Sequence, residues 1–359
     1  MAPSRANLLD EVHSKRTMLQ AIASIIDPLG FFQPVLLPAK LLLQKAWLTQ
    51  SAWDEKIHED LKTEWESVAQ ALPGLFQHKV QRYVGEVNEK SMLLVFSDAS
   101  AKAYAAAVYL RCQDADGNVT CNLIFAKSRL APKPGKKKSH RVQKITLPRL
   151  ELLGQTLGTR AGQFCREALG THIPIKFFCD SEIVLHWIRS AKTLQRFVAN
   201  RVAEIRKVEN CTFHYVSTND NPSDYGTRGK TAEELVDDPK WWYGPPWAVK
   251  TESDWPETRL ESVSDETLRE IEAEVKETKV CQTLVVKEAE KTASDRFLDI
   301  DYTKYSSFGK LVRVSVLCLK FLKQKVWKRL SADSQDRFPR IANLFGKISE
   351  NPELDAEEF

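Results

Sequence analysis

Apolar residues recur at helical spacing near the start of the chain: Leu19, Ile22, Ile25 and Ile26, then Leu36, Leu37, Leu41, Leu42 and Leu43. That spacing predicts two helices within 14–50, each with one buried face. Between them Asp27-Pro28-Leu29-Gly30 reads as a turn, because proline presets φ and glycine accepts a positive one. A third helical segment is expected over 51–75, with Trp53 and Trp65 on it. These helices carry no obvious chemistry and are expected to pack.

The period changes at Ser91. Met92 to Phe96 is a short continuous apolar run that ends in Ser97-Asp98. Two further short apolar stretches, 104–110 and 119–125, flank a turn at Asp116-Gly117-Asn118, and three such strands in succession predict an antiparallel meander. Pro148 opens a helix expected from Leu147 to Leu169, in the first turn, where its missing N–H does no harm. Ile175 to Cys179 reads as a buried strand. Helices from Ser181 through Ile188 and from Leu194 to Val208 follow, then a last strand at Phe213 to Val216 and a loop from Ser217 to Arg228. The order βββ-α-β-α-α-β predicts an α/β fold with a mixed sheet flanked by helices.

Composition narrows the class. At 359 residues the chain is long for one average domain. No apolar run approaches the roughly 18 residues that a membrane-spanning helix needs, so no membrane partner is expected. The opening MAPSRANLLDEVHSKR lacks the apolar core of a secretion signal. Cysteines at 112, 121, 165, 179, 211, 281 and 318 form no C-x-x-C pair and have no histidines at zinc-ligand spacing. They are expected to be buried thiols in a reducing compartment.

The net charge of +4 hides an asymmetry. Residues 117–150 hold nine Lys and Arg and no acid, whereas 252–301 hold 15 acids against 7 bases, a net of −8. The basic run adjoins the helix that carries Glu151, so it is expected to hold nucleic-acid phosphates without reading sequence. A plain solvated loop is the alternative. Lys136, Lys137, Lys138, His140, Arg141 and Arg228 are the candidate contacts there. Ser100 and Ser181, next to candidate metal ligands, either touch a nucleic-acid backbone or cap local structure.

Four carboxylates carry the candidate chemistry. Asp98 ends the first strand and Asp180 the fourth, so both emerge at one edge if those strands are neighbours. Glu151 lies in the first turn of its helix and leans over that edge. Asp224 follows the last strand in a loop stiffened by Pro222. Any one of them alone is more often a helix cap than a metal ligand. Together they repel unless a cation is shared. Carboxylate oxygens suit magnesium or manganese, and two such ions about 4 Å apart can activate a water and stabilise a phosphodiester's leaving oxygen.

The segments LVFSDASAKAYAAAVY, ITLPRLELLG, FFCDSEIVLHWI and HYVSTNDNPSDYGTRG resemble the four blocks of the ribonuclease H domain of Bel/Pao retrotransposons. The flanks IASIIDPLGFFQPVLLPAKLLLQKAW, WWYGPPW and YTKYSSFGKLVRVSVLCLKFL are similar to the stretches before and after that domain in the same family. The resemblance implies a ribonuclease H-like five-stranded mixed sheet flanked by helices. It divides the chain into a helical connection at 1–88, the ribonuclease H-like domain at 89–232, an aromatic/Pro segment and acidic linker at 233–300, and an incomplete integrase lead-in at 301–359. It implies that Asp98, Glu151, Asp180 and Asp224 hold two Mg2+ or Mn2+ ions and cleave the RNA strand of an RNA–DNA hybrid. The expected setting is a polyprotein fragment in a virus-like particle in the cytoplasm, or in the nucleus, with other parts of the polyprotein as possible partners.

The alternative is a catalytically inactive remnant that binds nucleic acid or protein. The chain shows no Y-x-D-D polymerase motif and no complete integrase. The same region is also commonly labelled a Pao retrotransposon peptidase. An aspartic peptidase needs glycine two residues after its Asp, and here Asp98 is followed by Ala99 and Ser100.

Overall fold

The computed structural model describes residues 12–49, 51–77, 79–133, 145–170, 172–256, 265–275, 308–325, 327–329 and 345. It falls into two units, 1–278 and 279–359. The first is built on a sheet of β1 (Met92–Ala99), β2 (Ala103–Gln113), β3 (Val119–Leu130), β4 (Ile175–Cys179) and β5 (Cys211–Tyr215) in the order β3-β2-β1-β4-β5. The first three strands are antiparallel meander neighbours, while β1–β4 and β4–β5 are parallel. This is the expected five-stranded mixed sheet with flanking helices.

Both faces of the sheet are covered, which is why β1 reads as a continuous apolar run rather than an alternating one. Alternate residues still go to different cores. Leu94, Phe96, Ala107 and Tyr109 join one cluster, and Leu93, Val95, Val108 and Leu110 join another. β2 and β3 run further than apolar content predicted, to Gln113 and Leu130. β3 is an edge strand with solvent on part of its surface, so Lys127 and Arg129 continue the ladder as exposed positions.

The second cluster is closed by α4 (Leu147–Ala168). This helix comes unusually close to β1 because Gly154, Gly158 and Gly162 line its inner face. A Cβ added at Gly154 would stand 2.7 Å from the Asp98 carbonyl oxygen. α5 (Glu182–Arg189) and α6 (Arg196–Ile205) follow, sharing a cluster around Trp187 and Val198.

The opposite face is covered by α1 (Lys15–Ser24), α2 (Gln33–Trp47) and α3 (Glu59–Ala71), together with the aromatic segment. The predicted turn between α1 and α2 is present. Gly30 has φ +77°, the Asp27 carboxylate accepts from the backbone N–H groups of Phe31 and Phe32, and Leu29 O accepts from Ala126 N of β3. The third predicted helix starts late, at Glu59, so Trp53 is not on it. Residues 51–58 return in irregular conformation, with Trp53 against Trp47 at 4.9 Å between ring centres and Arg16 over its ring.

α7 (Asp224–Arg228), α8 (Ala232–Val236) and α9 (Pro239–Tyr243) lead into the aromatic piece, which packs back on the sheet. Tyr109 Oη donates to Trp241 O at 2.8 Å and Arg111 Nε to Ala248 O at 2.8 Å. One hydrophobic cluster thus joins residues before 88, the sheet and residues after 232. α10 (Asp265–Ala273) is the last described helix of this unit.

In the second unit α11 (Phe308–Lys325) is followed by a short turn of helix whose Trp327 meets Phe345 edge-on at 5.3 Å. No helix among the described residues is long and apolar enough to cross a membrane. Cys112, Cys121, Cys165 and Cys179 are buried free thiols. Against expectation, Cys211 is only half-buried, packed at the margin of the second cluster, and Cys318 is exposed. Cys281 lies outside the described residues.

Candidate active site

β1 and β4 are adjacent and parallel, with Ser97 opposite Cys179, so Asp98 and Asp180 leave the sheet side by side at its carboxyl edge. Asp98 is still part of β1 and is 8% exposed. Glu151, expected in the first turn of its helix, sits in the second because α4 already starts at Leu147, and the close approach at Gly154 holds it over that edge.

The loop after β5 is fastened to the end of β1. Asn221 Nδ2 donates to Ser97 O at 2.9 Å, and Ser223 Oγ donates to Phe96 O at 2.7 Å. Asp224, expected in a loop, is instead the first residue of α7. Pro222 precedes it and the Asn221 side chain accepts from Ser223 N, which together start the turn.

These carboxylates feel one another. Asp98 is pushed up to about 6, first by burial and then by the charges of Asp180 and Asp224, against a hydrogen bond from Thr227. Glu151 is pushed up to about 7, chiefly by burial, with the charges of Asp180, Asp98 and Glu270 adding to it. Asp180 is raised by burial, although Thr218 and the Arg228 charge act the other way. Asp224 is raised by burial and by Asp180, with Arg228 opposing. Four carboxylates from four elements therefore share one electrostatic environment in which full ionisation is costly.

Three have a hydroxyl donor and the fourth a nearby cation. Thr227 Oγ1 donates to Asp98 Oδ2, Ser181 Oγ to Glu151 Oε2 at 2.5 Å, and Thr218 Oγ1 to Asp180 Oδ2 at 2.8 Å. Arg228 Nε lies 2.5 Å from Asp224 Oδ1 in an ion pair whose N–H is not aligned on that oxygen. Thr227 and Thr218 are contacts that only the structure reveals. A threonine in a polar loop gives no sequence signal until its partner is known. For Gly154 the sequence does carry a signal, the four-residue spacing of Gly154, Gly158 and Gly162 along one helix face.

Ser181 serves the helix as well, capping α5 by accepting from Val184 N. The Ser100 hydroxyl is engaged in the β1–β2 turn and donates to Thr227 O at 3.0 Å. Arg228 is exposed, and with Ser100, Ala99, Pro132, Lys133 and Leu150 it lines a cleft of about 800 Å³ beside Asp98. Lys136, Lys137, Lys138, His140 and Arg141 lie outside the described residues. Trp187 is core, as expected.

The donor set of four carboxylates, without thiol or imidazole, fits magnesium or manganese by its chemistry. Among the described residues, no three His, Cys, Asp or Glu side chains stand close enough together to hold an ion as they are placed. Three of the carboxylates face hydroxyl donors, and Asp224 faces the Arg228 charge.

Residues 14–181 match a sequence family described as a Pao retrotransposon-like RNaseH-like domain. No curated protein matches the chain. Among solved structures, the foamy viral protease-reverse transcriptase dRH in complex with double-stranded DNA is similar over 60% of this chain and 34% of its own, at 14% identity and TM-score 0.36. The N-terminal RNase H domain of rv2228c from Mycobacterium tuberculosis overlaps 41% of this chain and 95% of its own, at 13% identity and TM-score 0.27. LC11-RNase H1 in complex with an RNA/DNA hybrid overlaps 38% and 91%, at 14% identity and TM-score 0.26. The match thus spans about a third of the foamy viral chain. At such scores the solved structures carry no argument, and the family match stands on its own over residues 14–181. The stretch matched to the Pao retrotransposon-like RNaseH-like domain is the one that carries β1 to β4 with Asp98, Glu151 and Asp180.

Proposed function

We propose that this chain is a metal-dependent endonuclease that cleaves the RNA strand of RNA–DNA hybrids, with Asp98, Glu151, Asp180 and Asp224 holding two Mg2+ or Mn2+ ions. The observation that carries the reading is the convergence of four carboxylates from β1, α4, the end of β4 and α7 on one sheet edge. There, burial holds all four above the ordinary carboxylate range, and neighbouring carboxylate charge adds to it at Asp98, Glu151 and Asp224. Such an arrangement is unfavourable in itself and becomes favourable when cations neutralise it. Divalent ions there supply the Lewis acidity that activates water and stabilises the leaving oxygen of a phosphodiester.

The chain's own groups do the positioning. Thr227, Ser181 and Thr218 fix the orientation of three carboxylates. Arg228, Ser100 and Lys133 line the adjoining cleft, where a phosphate backbone finds positive charge and a hydroxyl. Other parts of a polyprotein are the natural source of further substrate grip.

A second reading, a catalytically inactive nucleic-acid-binding module, is favoured by the separation of the carboxylates, no three of which stand at ion-holding distance among the described residues. Purified chain is incubated with a labelled RNA–DNA hybrid and Mg2+ or Mn2+, beside an Asp98→Asn/Asp180→Asn double variant. Loss of the RNA strand with the parent chain alone supports the nuclease. Binding without cleavage under either metal refutes it and leaves the binding module.

A further inference from the structure

The acidic stretch after the aromatic piece has no part in this chemistry, yet one segment of it is docked on the flank of the site. α10 bears Asp265, Glu270 and Glu272, and Glu274 follows directly. Ile271 and Val275 pack on the cluster around Trp187 and Val198. Trp187 Nε1 donates to Ile271 O at 3.4 Å, and Gln195 N to Glu274 O at 2.7 Å. Glu274 then meets Arg149 in a two-pronged pair, Nε to Oε1 at 2.5 Å and Nη2 to Oε2 at 3.0 Å, with the Glu274 side chain only 10% exposed. Arg149 is the last cation of the basic run and stands two residues before Glu151. Glu270 is near enough for its charge to act on Glu151.

Arg149 belongs to a cluster. Its guanidinium and that of Arg201 lie over the Phe197 ring, at 5.1 and 3.6 Å from the centre. Arg160 on α4 pairs with Glu204 on α6 at 2.6 and 2.9 Å. Arg160, Arg201 and Phe197 line a groove of about 510 Å³ that reaches back to Arg129 and Ile145 of the basic stretch. Arg160 and Arg149 both repel Arg201, so the groove holds more positive charge than Glu204 balances. Arg149 and Arg160 are eleven residues apart on one helix, roughly 16 Å along its axis. A guanidinium that grips a carboxylate with two parallel N–H groups grips two phosphate oxygens with the same geometry.

We propose that Arg149, Arg201 and Arg160 around Phe197 form a subsite for the backbone phosphates of the nucleic acid beyond the carboxylate edge, and that Glu274 is its resident competitor. A phosphate reaching Arg149 displaces Glu274, and α10 acts as an acidic stand-in for the backbone. This rests on the nuclease reading only in that the ligand is nucleic acid.

The test is binding of a fluorescent RNA–DNA hybrid to the full chain in EDTA, by anisotropy over a salt series, so that cleavage does not enter. Glu274→Gln keeps a hydrogen-bonding side chain but removes the competing charge. It should tighten binding about threefold to fivefold, the factor set by an ion pair of this kind that no longer has to break. Arg149→Gln should weaken binding and lower the slope of log affinity against log salt by about one, as expected for one lost phosphate contact. In the Arg149→Gln background, Glu274→Gln should add nothing.

The charge swap Arg149→Glu/Glu274→Arg separates a subsite from a structural clasp, because it preserves the pair and inverts what faces the phosphate. Swap binding as weak as that of Arg149→Gln, with the melting curve of the parent chain, supports the subsite. A swap that binds like the parent chain, or a Glu274→Gln affinity equal to the parent's, overturns it while leaving the nuclease reading intact. A parent chain that binds no hybrid at all overturns both.

Discussion

Replacing Asp98 with Asn should make the protein more stable at neutral pH when divalent metal is withheld. Asp98 is 8% exposed and its carboxyl is pushed from 3.8 to about 6, by burial first and by Asp180 and Asp224 next. The folded protein therefore keeps this proton to a higher pH than the unfolded chain does. Below about pH 4 both states are protonated and the group contributes no difference. As pH rises from there the unfolded chain ionises freely while the folded one resists, so stability falls, and it levels off above about pH 6.

At roughly 1.4 kcal/mol for each pH unit, the full loss is about 3 kcal/mol. Coupling to the neighbouring carboxylates and local relaxation reduce this to an expected 1–3 kcal/mol, as an order-of-magnitude range. Asn has the same shape and can still accept from Thr227 Oγ1, so the substitution isolates the charge. Urea unfolding across a pH series, with chelator present, reads the difference. The variant should exceed the parent near neutral pH, and the two curves should converge on acidification. Added Mg2+ should raise the parent's stability and leave the variant's nearly unchanged. A variant that is less stable at neutral pH, or a difference independent of pH, would show that burial and mutual charge are not what hold this carboxyl.

Other substitutions probe the same edge. Thr227→Val removes the donor to Asp98 and should cost on the order of 1–3 kcal/mol by leaving a buried acceptor unpaired, with Thr227→Ser restoring most of it in chemical denaturation. Gly154→Ala should destabilise by roughly 1–3 kcal/mol, because the new Cβ meets the Asp98 carbonyl at 2.7 Å. On helix propensity alone the same change would gain about 1 kcal/mol, so the sign of the melting-temperature shift decides between packing and propensity.

The sequence by itself determined most of the scaffold. Continuous apolar runs at Met92–Phe96 and Ile175–Cys179 read as strands because both sheet faces are buried, and Pro148 marked the start of α4 because proline's missing N–H costs nothing in a helix's first turn. Asp98, Asp180 and Asp224 were legible as candidates because each stands at an element boundary, which is a local property, and Glu151 because it closely follows the start of α4. Strand ends, the late start of α3 and the helical setting of Asp224 were less so, since edge strands and short turns take polar residues that periodicity ignores.

What only the tertiary structure decided is who touches whom. Thr227 and Asp98 are 129 positions apart, and Arg149 and Glu274 are 125 apart. No local pattern encodes such pairs. They exist because β1 and β4 lie side by side, because glycines on α4 let it settle against β1, and because the loop after β5 is fastened to the backbone of Ser97 and Phe96. Residue type sets the chemistry each position can perform, while packing sets the distance and the burial, and on those depends whether four acids repel one another or share a site.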